Sequence, residues 1–173
     1  MATQTRVPTG AGSSTLLTPS AGANWECVSD LSDATYVSEL GTAFKLDLYA
    51  FTAFDISSTE IEKLGVTVRH QDDGTNCNYY ARLLVNGTGY TGSIVSPGSS
   101  WADTTYDWLT NPKTASAWLE ADIEGSGDNP LQEFGVNARG SDPKQLRISE
   151  VSATVTYTEA APSGNPYYYY AQQ

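Results

Sequence analysis

Apolar and polar residues alternate with period two over several short stretches, the spacing that sends successive side chains to opposite faces of a strand. Phe44, Leu46 and Leu48 in FKLDLY, Val66 and Val68 in GVTVRH, and Val151, Ala153, Val155 and Tyr157 in VSATVTY each mark one inward face. Tyr79, Ala81, Leu83 and Val85 do the same in NYYARLLV. Between these runs stand Asp-Gly in DDGTN, residues 72–76, and Asn-Gly in NGTG, residues 86–89. Both supply the positive φ angles that tight hairpins demand. NCNYYARLLV and GYTGSIVS are therefore expected to pair as a hairpin. One segment, TASAWLEADIE at 114–124, competes as a helix behind a Thr or Ser cap. Many short strands with one small helix predict an all-β chain, an antiparallel β-sandwich of jelly-roll type, because two half-apolar sheets must cover each other.

Composition agrees, since eleven Tyr and four Trp suit a pleated, half-buried surface. It also divides the chain. Residues 1–22 are rich in Thr, Ser, Gly, Ala and Pro, hold Arg6 as their one charged side chain, and read as a flexible N-terminal arm. After Glu159 the chain turns to linker residues and then to four consecutive tyrosines, so 161–173 reads as an uncharged, Tyr-rich C-terminal tail. The sandwich domain is left with 23–160. Leu16 and Leu17 in the arm and Tyr167, Tyr168, Tyr169 and Tyr170 in the tail are the candidate partner-binding residues, for a second copy of the chain or a larger lattice.

A net charge of -11 repels phosphate backbones and anionic lipid, so neither nucleic acid nor a membrane surface is expected as a partner. No apolar run has the length of a spanning helix and the first residues lack a signal-peptide core, which predicts synthesis and retention in a cytosol or release by lysis. In that compartment Cys27 and Cys77 are expected as buried thiols rather than a disulfide.

Candidate chemistry is sparse. Asp30 and Asp33 in DLSDATY can approach one cation, but the alternating acids and distal Glu of a calcium loop are missing, and an Asx-type turn accounts for the spacing. Asp72 and Asp73 stand near His70, the single histidine, which lies in register with Val66 and Val68 as a strand residue. One imidazole without clustered His or Cys makes no metal centre. With no nucleophile elbow, phosphate loop or zincin motif, the chain is expected to be no enzyme and to need no cofactor. Aromatics carry more promise. Trp25 and Trp118 are expected in the core, whereas Tyr80, Tyr90 and Trp101 remain as surface rings able to stack on a glycan.

The order of landmarks is NWECVSD, DATYVSE, FKLDLYAF, VTVRHQDDGTNCNYYARLLVNGTGYTG, TNPKTASAWLEADIE, FGVNAR and LRISEVSATVTY. Over about residues 24–158 this order resembles that of small β-sandwich virion proteins of tailed bacteriophages and prophages. The resemblance implies a non-catalytic structural role as capsid decoration, minor head or tail component, in a homo-oligomer bound to capsid or tail proteins within the virion. It makes Trp25, Asp33, Thr35, Tyr36, Asn111, Pro112, Thr114 and Trp118 scaffold residues, with residues 24–39 forming the first two strand segments. The tetra-tyrosine tail departs from that pattern. Two rival readings stand beside it: a glycan-binding sandwich module on a phage tail or cell surface, and an extracellular filament subunit joined by strand addition.

Overall fold

The computed structural model describes residues 1–73 and 76–161, so Tyr167, Tyr168, Tyr169 and Tyr170 lie outside the described residues. Its strands in chain order are β1 (Ala2–Arg6), β2 (Pro8–Thr15), β3 (Thr18–Pro19), β4 (Val37–Glu39), β5 (Lys45–Phe51), β6 (Ser58–Asp72), β7 (Asn78–Val85), β8 (Thr88–Val95), β9 (Ala102–Trp108), β10 (Leu131–Arg139) and β11 (Leu146–Glu159). Two single-turn helices, α1 (Asn24–Cys27) and α2 (Glu120–Ile123), interrupt them. The strands form two antiparallel sheets, one ordered β3-β4-β11-β6-β9 with β1 also on β11, the other β2-β5-β10-β7-β8. This is the expected β-sandwich.

The alternating runs build its interior. Val66 and Val68 of β6 and Val151, Ala153 and Val155 of β11 face Tyr79, Ala81, Leu83 and Val85 of β7 and Phe134, Val136 and Ala138 of β10 within one core cluster. Trp118 is buried and donates its indole N–H to the Trp108 carbonyl at 3.0 Å, whereas Trp25 is half-buried against the cluster. Asn86 and Gly87 take φ of 45° and 70° and close the β7–β8 hairpin as expected. Cys27 and Cys77 are separate buried thiols, and burial pushes the Cys77 pKa up to about 12.

Five expectations are corrected. Residues 1–22 are no free arm: β1 pairs with β11 and β2 with β5, because mostly small residues with Arg6 as their one charge lie flat along a sheet edge and satisfy their backbone there. Leu17, expected to bind a partner, is 4% exposed within the core, while Leu16 beside it is 58% exposed. Residues 24–39 begin as the helical turn α1 and become strand only at β4. Residues 114–124 hold a single helical turn, since buried Asn111 and Asp122 bond each other at 3.0 Å and the Asn129 amide bonds Asp122 at 3.1 Å, pinning the segment as a loop. Finally, the strands that flank DDGTN are no hairpin pair: β6 and β7 lie in different sheets.

β5 reverses its expected faces. Asp47 and Tyr49 point inward and are fully buried, which sends Leu46 and Leu48 outward. Asp47 is satisfied because it gathers donors from three segments: the Leu17 amide at 2.8 Å, the Asn24 side chain at 2.6 Å and the Tyr49 hydroxyl at 3.1 Å, with the Leu16 amide beside them. The carboxylate thus ties the β2–β3 connection and α1 to the sheet.

Candidate functional site

The reversal of β5 gives the outer face of the five-stranded sheet its character. Antiparallel register sets Leu46, Asn137, Tyr80 and Ile94 in one row across β5, β10, β7 and β8, and Leu48, Gly135, Arg82 and Thr91 in the next. Tyr80 points outward because its neighbours Tyr79 and Ala81 point into the core. Its ring centroid lies 5.1 Å from that of Phe44 at 46°, and the Arg139 guanidinium sits 4.9 Å over Phe44. Ile94 is 52% exposed beside them.

β2 raises a wall on one side. Between Ala11 and Thr15 its pairing with β5 shifts, and the Ser13 amide and hydroxyl reach Glu133 of β10 at 2.9 and 2.6 Å. The bulge therefore crosses the outer side of β5, which is why Leu48 is 4% exposed although it points away from the core. On the other side Arg82 lies across β8 and donates to the Thr91 hydroxyl. Gly89 makes room for it, since a Cβ there would stand 2.5 Å from the guanidinium Nη2.

The electrostatics of this face are unusual for so acidic a chain. The four ion pairs among the described residues belong to Lys45, Lys63 and Arg69, and none reaches Arg82 or Arg139. Both arginines hold a buried Nε without a hydrogen-bond partner, and burial pulls the Arg82 pKa down. The Asn137 side chain and the Tyr80 hydroxyl make no hydrogen bond among the described residues, and both residues are half-buried. The two Nε atoms are closed to solvent, but apart from the Arg82–Thr91 bond the terminal guanidinium nitrogens share one surface with the rings and the Asn137 amide, their hydrogen-bonding capacity left over.

The three rings expected to stack on a glycan are separated. Tyr80 belongs to this face; Tyr90 opposes Leu83 on the inner side and packs on the core; Trp101 lies on the other sheet, with Arg69 5.9 Å over its ring. Phe44, Arg82, Asn137 and Arg139 were missed, since period two shows that a residue points outward but not which strands lie side by side. The acids considered for a metal have other partners. Asp33 accepts two bonds from Arg69 at 2.7 Å and one from Ser149 at 2.8 Å, and the Arg69 bonds hold its pKa below the usual carboxylate range. Asp30 forms the expected local turn with Ser32 at 3.1 Å and bonds Thr35, and Asp73 accepts from the Gln145 amide at 2.6 Å. Asp72 is buried at the end of β6. His70 is buried, bonds the Thr104 hydroxyl at 2.9 Å, and has its pKa lowered by burial.

No family model matches the chain, and no curated protein matches its sequence. Its fold has counterparts among solved structures. The C-terminal CBM6 of LamC, a marine laminarinase from Zobellia galactanivorans, superimposes with a TM-score of 0.50 at 9% identity, over 90% of this chain and 100% of that one. A family 29 carbohydrate-binding module from Piromyces equi gives 0.47 at 6% identity, over 89% and 91%. A cyclase from Fischerella sp. TAU gives 0.43 at 14% identity, over 91% and 86%. The first of these likenesses describes the fold alone.

Proposed function

We propose that the outer face of the five-stranded sheet binds carbohydrate and that the chain acts as a non-catalytic glycan-recognition module. The observation that carries this reading is the grouping of an outward Tyr80 with Asn137, Arg82 and Arg139, whose hydroxyl, side-chain amide and terminal guanidinium nitrogens have no hydrogen-bond partner among the described residues apart from the Arg82–Thr91 bond. Sugars offer an apolar ring face and a rim of hydroxyls. An aromatic ring covers the first, and amide or guanidinium donors and acceptors meet the second. The resemblance of the sandwich to a carbohydrate-binding module supports the reading at the level of fold. None of the neighbours named above is described as a virion protein, so the capsid, tail and homo-oligomer expectations rest on the sequence motifs alone.

A glycan array probed with the full chain tests the proposal. The chain should be retained by at least one glycan class, and Tyr80→Ala should weaken that binding by at least about tenfold, or ~1.4 kcal/mol. Thr67→Ala on the opposite sheet should bind as the parent does. No retention on any glycan, or a Tyr80→Ala protein that binds like the parent, rejects the assignment.

A further inference from the structure

We infer that this face takes an acidic oligosaccharide, a chain of sugars bearing ring carboxylates such as a uronate polymer, in preference to a neutral one. The inference rests on the carbohydrate reading above and concerns its ligand class.

Two arginines on this face lack a counter-charge among the described residues. With twenty Asp and Glu against nine Lys and Arg, a carboxylate partner is easily found on this chain. Arg69 has two, and Lys45 and Lys63 have one each. Arg82 and Arg139 have none among the described residues, although both are half-buried and each has a buried Nε without a partner. A partly desolvated guanidinium without a counter-charge leaves an electrostatic demand unmet, and its planar fork matches a carboxylate better than it matches a hydroxyl. Glu133, the carboxylate nearest in the register, is held by Ser13 and stays out of ion-pair range of both.

Spacing adds the length of the ligand. Arg82 pairs with Gly135, and Arg139 lies four residues further along β10, so the two α-carbons stand about 14 Å apart at the usual rise and strand separation. Tyr80, opposite Asn137, falls between them. One sugar cannot touch both arginines, whereas a short oligosaccharide crossing the Tyr80 ring can place a carboxylate near each. The net charge of -11 opposes a polyanion at long range. That opposition fades beyond roughly 8–10 Å at moderate salt, while guanidinium–carboxylate contacts act at hydrogen-bond distance.

The test uses the full chain with polygalacturonate, alginate and hyaluronate, each beside its carboxyl methyl ester, in affinity electrophoresis and calorimetry. Esterification keeps the sugar rings and removes the charge. At least one acid form should bind about tenfold tighter than its ester. Arg139→Gln should bring the two forms within about twofold by weakening acid binding more than ester binding, and Tyr80→Ala should weaken both alike. The acid-to-ester ratio of the parent protein is decisive even if an arginine variant fails to fold. Equal binding of acid and ester, or binding to neutral glucans and xylans alone, overturns the inference and leaves the carbohydrate reading standing. Failure to bind any of these polymers or any glycan on the array overturns both.

Discussion

On the outer face of the six-stranded sheet, polar side chains meet partners across strand pairs. The hydroxyls of Thr5 and Thr154 lie 2.9 Å apart and those of Thr67 and Thr105 2.7 Å, Lys63 reaches Asp107 at 2.7 Å, and Arg69 bridges Asp33 and Asp103. The outer face of the five-stranded sheet, built on the same pleat, leaves Asn137, Arg139 and the Tyr80 hydroxyl without such partners. A surface that satisfies itself gains little from a ligand, because each new contact must replace one already made. A surface with rigidly placed, unpaired donors gains at each contact. The difference lies in cross-strand pairing rather than in composition.

Both faces depend on one frame, and the largest expected effect comes from breaking it beneath the five-stranded sheet. Asp47→Ala leaves buried donors of Leu16, Leu17, Asn24 and Tyr49 without their acceptor. The cost should be about 3–5 kcal/mol, which lowers the melting temperature by roughly 6–20 °C for a chain of this size. Asp107→Ala on the other sheet breaks an exposed pair with Lys63 and should cost less than about 1 kcal/mol. Calorimetric melting of the two variants checks the contrast; equal losses would mean that Asp47 is no hub.

Asp47 also shows why the sequence was only partly legible. Val66, Val68, Val151, Ala153, Val155 and Tyr157 lie inward as their alternation requires, and Asn86-Gly87 forms its turn, because the causes are local. In KLDLYAF the same alternation points the wrong way: it assigns the leucines to the core, yet donors 30 and 23 residues earlier in the chain make a buried aspartate the better choice. The edge strands of residues 1–22 were hidden similarly, since their stabilisation comes from backbone pairing with partners as distant as Tyr157. At the site, Tyr80 could be read as an outward ring. Its company could not: Arg82, Asn137 and Arg139 converge through the β7–β10 register, which no local pattern encodes.

Arg69→Ala removes the partner of both Asp33 and Asp103 and should lower the melting temperature at neutral pH by less than Asp47→Ala does, with glycan binding unaffected. Asp33 supplies the pH signature. Its folded pKa lies below the ordinary 3.8, chiefly through the Arg69 hydrogen bonds, so its stabilisation is fully present above that value and is lost as pH falls through the folded pKa. The gap in melting temperature between parent and variant should therefore be widest above about pH 5 and narrow towards pH 2. A gap constant across that range would show that Arg69 acts through packing rather than through the Asp33 carboxylate. A variant that lost glycan binding would move the site to the wrong sheet.

A small effect is expected at the wall beside the open face. Ser13→Ala removes the 2.6 Å hydroxyl bond to Glu133 but keeps the 2.9 Å bond from the Ser13 amide, so the bulge should stay in place with less hold on the carboxylate. Stability should fall by about 0.5–1.5 kcal/mol, the net worth of one hydrogen bond. Glycan affinity should fall only about two- to fivefold, less than 1 kcal/mol, because Glu133 borders the surface while Tyr80 and Arg139 lie at its centre. Melting and calorimetric titration on the same preparation separate the two effects. A lowered melting temperature with unchanged affinity would make the bulge a clasp for β5 alone and confine the binding surface to the part of the sheet around Tyr80, Asn137 and Arg139. An affinity loss as large as that of Tyr80→Ala would instead make the bulge a second binding wall.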